Sequence, residues 1–97
     1  MHAAVLAVEI HLGQSRSLKA KRSVLRHLLD TARRRYGVAA AEVDYQDLWQ
    51  RAGLAFAAVA TDAGHVEDVL DGVERFVWSH PEIEVTAVHR HWFDTES

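Results

Sequence analysis

Eight of the eleven basic residues in this 97-residue chain lie between positions 16 and 35: Arg16, Lys19, Lys21, Arg22, Arg26, Arg33, Arg34 and Arg35. One acid, Asp30, shares that stretch, so it carries +7 while the rest of the chain carries −10. Cations at this density suit phosphates, because each neutralised phosphate releases condensed counterions. They suit equally an acidic protein surface, or acidic elements of the chain's own fold. A second constellation is Glu42-x-Asp44-x-Gln46-Asp47 with Trp49 and Arg51. Carboxylates two apart on a strand share a face, where they can hold a divalent cation, share a proton or pair with cations. A Trp beside an Arg and acids is also the composition of a protein interface. The third group is histidine. His89 and His91 have a strand-compatible zinc or copper spacing, and a last strand paired with the first would bring His2 toward them. Two-residue spacing also arises by chance, and the expectation is exposed titratable imidazoles with no metal.

The elements that must position these residues follow from periodicity. Residues 3 to 12 alternate, with Leu6, Val8, Ile10 and Leu12 on one face and Val5, Ala7, Glu9 and His11 on the other, which predicts a strand. Ser17 caps a helix that Gly37 ends, and Leu18, Leu25, Leu28, Leu29, Ala32 and Tyr36 form its apolar stripe. At about 100° per residue, Lys19, Arg22, Arg26 and Arg33 fall within a sector of roughly 60° beside that stripe. Lys21 projects toward the apolar side, where it must snorkel or meet an acid. Residues 38 to 45 and 52 to 60 predict two more strands joined by a polar connection. Asp62 caps a second helix, whose buried side carries Val66, Val69, Leu70, Val73, Phe76 and Val77. Its other face is acidic, with Glu67, Asp68, Asp71 and Glu74. His80-Pro81 stops it, and a strand over 83 to 93 completes the order βαββαβ.

That order predicts an α+β, ferredoxin-like two-layer sandwich filling residues 1–97 as a single domain. Its four-stranded antiparallel sheet, in strand order 4-1-3-2, carries both helices on one face. The other face is bare. Both faces of the central strands are apolar, with Val5 and Ala7 opposing Leu6 and Val8, and Leu54, Phe56 and Ala58 opposing Ala55, Ala57 and Val59. A half-solvated sheet should instead alternate apolar with polar. A homo-oligomer, dimer or higher, is therefore expected to cover the bare face.

Composition narrows the function classes. The chain is 48% hydrophobic and 26% charged, which is globular rather than disordered. With no cysteine, disulfide scaffolds, thiolate metal sites and cysteine nucleophiles are excluded. No apolar run approaches the roughly 20 residues that span a bilayer, and Glu9 and His11 interrupt the N-terminal apolar stretch. The expectation is a cytoplasmic protein without membrane contact. The serines sit in no GxSxG elbow, and neither a Walker loop nor GxGxxG is present. No cofactor is expected, and catalysis is not the favoured reading.

Two motifs resemble a known family. Ser17-Leu18-Lys19-Ala20-Lys21-Arg22, followed by the run from Ala41 to Ala52 (AEVDYQDLWQRA), is similar to the YlxP-like family, bacterial domain of unknown function 503. The likeness extends through Asp62-Ala63-Gly64-His65-Val66 to His80-Pro81. It implies the ferredoxin-like fold and a gene neighbourhood among transcription and translation factors, and it brings no catalytic residues. The expected function is a non-enzymatic homo-oligomeric module that meets RNA or a ribosome-associated partner through Lys19, Lys21, Arg22, Arg26, Arg33 and Arg34. Two alternatives stay open. One is a regulatory module that binds an acidic protein surface. The other is a small enzyme at a subunit boundary around Asp44, Gln46, Trp49 and Arg51.

Overall fold

Alternating side chains in the first strand divide the molecule into two sides, and everything else is arranged around them. The computed structural model describes residues 1–94. Its elements are β1 (His2–His11), α1 (Leu18–Tyr36), β2 (Ala39–Asp44), β3 (Arg51–Ala60), α2 (Ala63–Trp78) and β4 (Glu84–Asp94). The strands form one antiparallel sheet in the order β2-β3-β1-β4, the ferredoxin-like arrangement that the alternation predicts. Ala4, Leu6, Val8, Ile10 and Leu12 are buried on the side covered by the helices. They join Leu54 and Phe56 of β3, Leu25, Leu28, Leu29 and Ala32 of α1, and Val66, Leu70, Val73 and Val77 of α2. Each such valine, leucine, isoleucine or phenylalanine side chain stabilises the fold by about 1.5–3 kcal/mol on full burial.

The helix ends are set by the residues that the sequence marks. Ser17 Oγ accepts from Ala20 N at 3.0 Å, satisfying an orphan amide of the first turn. Gly37 ends α1 at φ 67, a left-handed conformation that glycine adopts without a Cβ clash, and its amide donates to Arg33 O at 3.1 Å. Asp62 Oδ1 accepts from Gly64 N at 2.9 Å at the start of α2. Among the described residues, no helix is long and apolar enough to cross a membrane.

Two register shifts interrupt the ladders. One lies between Glu9 and Ile10 against β4 and the other between Glu42 and Asp44 against β3. The second decides where the paired carboxylates point.

Candidate functional site

Because α1 buries Leu25, Leu28, Leu29 and Ala32, its cationic stripe is carried round to one flank. Arg33 identifies that flank: its guanidinium donates to Ala40 O of β2 at 2.6 Å and pairs with Asp30 at 2.6 Å. The stripe therefore lies along the β2 edge of the molecule. Lys19, Arg22 and Arg26 are exposed on it, with Arg16 just ahead of the helix cap, and none has a carboxylate partner among the described residues. Arg34 folds back on its own helix, donating to Asp30 O at 3.4 Å and to Thr31 Oγ1 at 3.5 Å.

The acidic helix does not neutralise this stripe. Asp71 and Glu74 are held by Arg90 of β4, at 3.0 and 3.4 Å. Glu67 and Asp68 are exposed and take no basic partner from α1 among the described residues.

Lys21 does not belong to the basic surface, and its place in that set is corrected. The side chain is 1% exposed, directed beneath the helix by its position two residues after Lys19. Its ammonium donates hydrogen bonds to Tyr45 O at 2.8 Å and Leu48 O at 2.5 Å. It also forms an ion pair with Glu42 Oε2 at 2.7 Å, an oxygen that takes no hydrogen bond among the described residues. Lys21 thus fastens the β2–β3 connection to the first turns of α1. Gln50 closes the same joint, donating from Nε2 to Ser15 O at 3.2 Å while its carbonyl accepts from Leu12 N at 2.8 Å.

Glu42 and Asp44 do not share a face. The bulge at Val43 sets Glu42 opposite Leu54 and Asp44 opposite Gly53. Leu54 points into the core and Gly53 toward the open side, so the extra residue breaks the two-residue alternation that would have aligned the carboxylates. Glu42 goes in to meet Lys21. Asp44 stays outside, its Oδ1 accepting from Tyr45 N at 3.0 Å. Gln46, Asp47 and Trp49 are exposed on the connecting loop, and Arg51 begins β3. The hollow that Asp44 lines, about 180 Å³, is shared with Glu9, Val43 and His89 and includes neither Gln46, Trp49 nor Arg51. The four groups of the subunit-boundary enzyme reading are not gathered.

A different polar cluster stands on the open face, one that spacing does not reveal. Tyr45, the one non-glycine residue with positive φ (60) among those described, folds back over β3. Its ring lies 3.9 Å from the Arg51 guanidinium and its hydroxyl donates to Glu9 Oε1 at 2.9 Å, while Arg51 reaches Glu9 Oε2 at 3.6 Å. The hydrogen bond to Glu9 is the main cause that raises the Tyr45 phenol above its ordinary value of 10.0; partial burial adds to it and the charge of Arg51 opposes it. The clue was Glu9 itself, a charge in an otherwise apolar strand.

Away from that cluster the open face is apolar. Ala3, Val5 and Ala7 of β1 stand beside Ala55, Ala57 and Val59 of β3, with Ala39, Ala41 and Val43 of β2 beyond. Val59, Phe93 and Val43 are its most exposed large hydrophobic residues, at 66%, 58% and 54%. His89 and His91 border it, paired with Ala7 and Val5, their ring centroids 6.4 Å apart. His2 has the parity of Ala4 and Leu6 and so belongs to the opposite face. The three imidazoles do not converge, and no three His, Asp or Glu among the described residues form a metal-sized group.

Two comparisons place the chain among known proteins. The family described as protein of unknown function, DUF503, matches residues 3–90. The uncharacterized protein YlxP of Bacillus subtilis (strain 168) is 40% identical over 77 residues, covering 79% of this chain and 84% of that protein.

Proposed function

The chain belongs to the DUF503 family of proteins of unknown function, and on that footing we propose that it is a non-enzymatic, self-associating module that grips RNA through α1. One observation carries the reading: Lys19, Arg22 and Arg26, with Arg16 beside them, form an exposed row of cations that no acid among the described residues neutralises. The three helical cations spread over about 10 Å of helix axis. Held on a rigid helix, they meet phosphates without first being ordered, which limits the entropic cost of binding.

Self-association is supported by the open face. Its four strands have 10, 6, 10 and 11 residues. At about 3.4 Å rise and 4.8 Å spacing they present roughly 600 Å² of flat face. That approaches the ~800 Å² per partner of a standard interface, and its alanine and valine texture suits a second sheet. The occupant is a second copy, packed face to face, which leaves α1 outward on both subunits.

The test is binding of a short labelled RNA by the wild type and by Arg22→Glu/Arg26→Glu. Both positions are exposed, so the variant folds. Loss of at least tenfold in affinity supports the reading; an unchanged affinity overturns it. Binding to an acidic protein with fixed stoichiometry and a shallow salt dependence, and none to RNA, would instead favour the regulatory-module reading.

A further inference from the structure

We infer that the loop between β2 and β3 is the base-contacting lip of this basic surface, with Trp49 as a stacking platform, and that the RNA it takes is unpaired. The inference rests on the proposed RNA contact of α1 and names the class of RNA.

Residues 45–50 expose Leu48 and Trp49, at 45% and 51%, although a tight connection between antiparallel strands needs no apolar tip. The loop is nonetheless firmly held. Lys21 donates to its carbonyls at Tyr45 and Leu48, Leu48 N closes a turn on Tyr45 O at 3.0 Å, and Gln50 ties the far end to Ser15 and Leu12. An exposed indole on a stitched loop is preorganised, so little conformational freedom is lost when a ring stacks on it. The holding residue also fixes its address. Lys21 comes two residues after Lys19 and directly before Arg22, so the loop that it holds at Tyr45 and Leu48 is docked on the same first turns of α1 from which the cationic row starts.

Cations that track phosphates beside an exposed aromatic ring are the two elements by which proteins hold single strands. A duplex hides the faces of its bases inside the stack and offers Trp49 nothing to cover. An unpaired strand presents both its phosphates and its rings. The loop's acid, Asp47, adds a charge unfavourable to phosphate, so the lip favours the base side of the strand over its backbone.

The experiment measures affinity for a 12-nucleotide unstructured oligouridine and for a duplex of the same length, in one buffer. The proteins are wild type, Trp49→Ala, Trp49→Phe and Arg22→Glu/Arg26→Glu. Loss of one stacked base weakens binding about 5- to 150-fold. Trp49→Ala is expected to weaken the single strand by that factor and the duplex less than about twofold, with the salt slope unchanged because every cation remains. Trp49→Phe is expected to restore most of the loss, since it keeps a ring. If Trp49→Ala binds the single strand like the wild type while the charge-reversed variant loses both RNAs, the lip is refuted and the α1 contact stands. Equal losses on both RNAs, or a wild type that prefers the duplex, also refute it. A wild type that binds neither RNA overturns both proposals.

Discussion

Replacing Lys21 with methionine keeps the apolar stem and removes the ammonium group, which isolates the contribution of the joint between α1 and the β2–β3 loop. The ammonium is 1% exposed and its partner Glu42 is 19% exposed. The variant leaves a carboxylate in a mostly dry site and strips the Tyr45 and Leu48 carbonyls of a shared donor. Removing one member of a buried pair costs about 3–5 kcal/mol. Domains of this size are stable by only about 5–15 kcal/mol, so the loss is a large fraction of the whole. At about 4–8 °C per kcal/mol, the melting temperature is expected to fall by about 12–40 °C. Urea unfolding followed by circular dichroism reads the loss directly as a lower midpoint at an unchanged slope. The double variant Lys21→Met/Glu42→Leu, which removes the stranded charge, is expected to recover at least half of it. A single variant within about 1 kcal/mol of the wild type would show that the lysine reaches water rather than anchoring the loop.

Three further outcomes follow from particular contacts. A Cβ on Gly53 would lie 2.7 Å from Asp44 Cβ, so Gly53→Ala is expected to destabilise the β2–β3 pairing by about 1–3 kcal/mol in chemical denaturation. In an ultraviolet titration one of the two tyrosines is expected to ionise above the ordinary range, and Glu9→Ala to bring it back. The sign follows: a folded-state value above the unfolded 10.0 makes the Tyr45–Glu9 contact stabilising below about pH 10, an advantage lost as pH rises through the folded value. In light scattering the wild type is expected at twice the monomer mass. Ala57→Glu, at the centre of the open face beside Val5 and Ala39, is expected to run as a folded monomer; a monomeric wild type contradicts the covered face.

The sheet and helices were legible because their signals are local and redundant. Leu6, Val8 and Ile10 alternate without interruption, and Ser17, Gly37 and Asp62 stand where orphan backbone groups need them. The rotation that turns Lys21 inward was legible from helical geometry alone, but not its acceptors, two of which are backbone carbonyls and so carry no side-chain signature. The separation of Glu42 from Asp44 was not legible. A single extra residue at Val43 flips the parity of the strand, and VAAAEVDY reads as one even run whether or not a bulge is present. Tyr45 was missed for a related reason: its positive φ, which folds the ring over Arg51 toward Glu9, is set by contacts with distant strands. The basic stripe was visible from spacing, whereas its lack of acidic partners among the described residues, with Asp71 and Glu74 held by Arg90, was not.

The most direct measurement is the salt dependence of RNA affinity. Three to four phosphate contacts from Arg16, Lys19, Arg22 and Arg26 predict that log K falls with log salt at a slope of about −2 to −3 on a single strand. Each of Arg22→Gln and Arg26→Gln is expected to reduce that slope by roughly 0.7. A wild-type slope near zero, or one that neither substitution changes, contradicts a phosphate-binding α1.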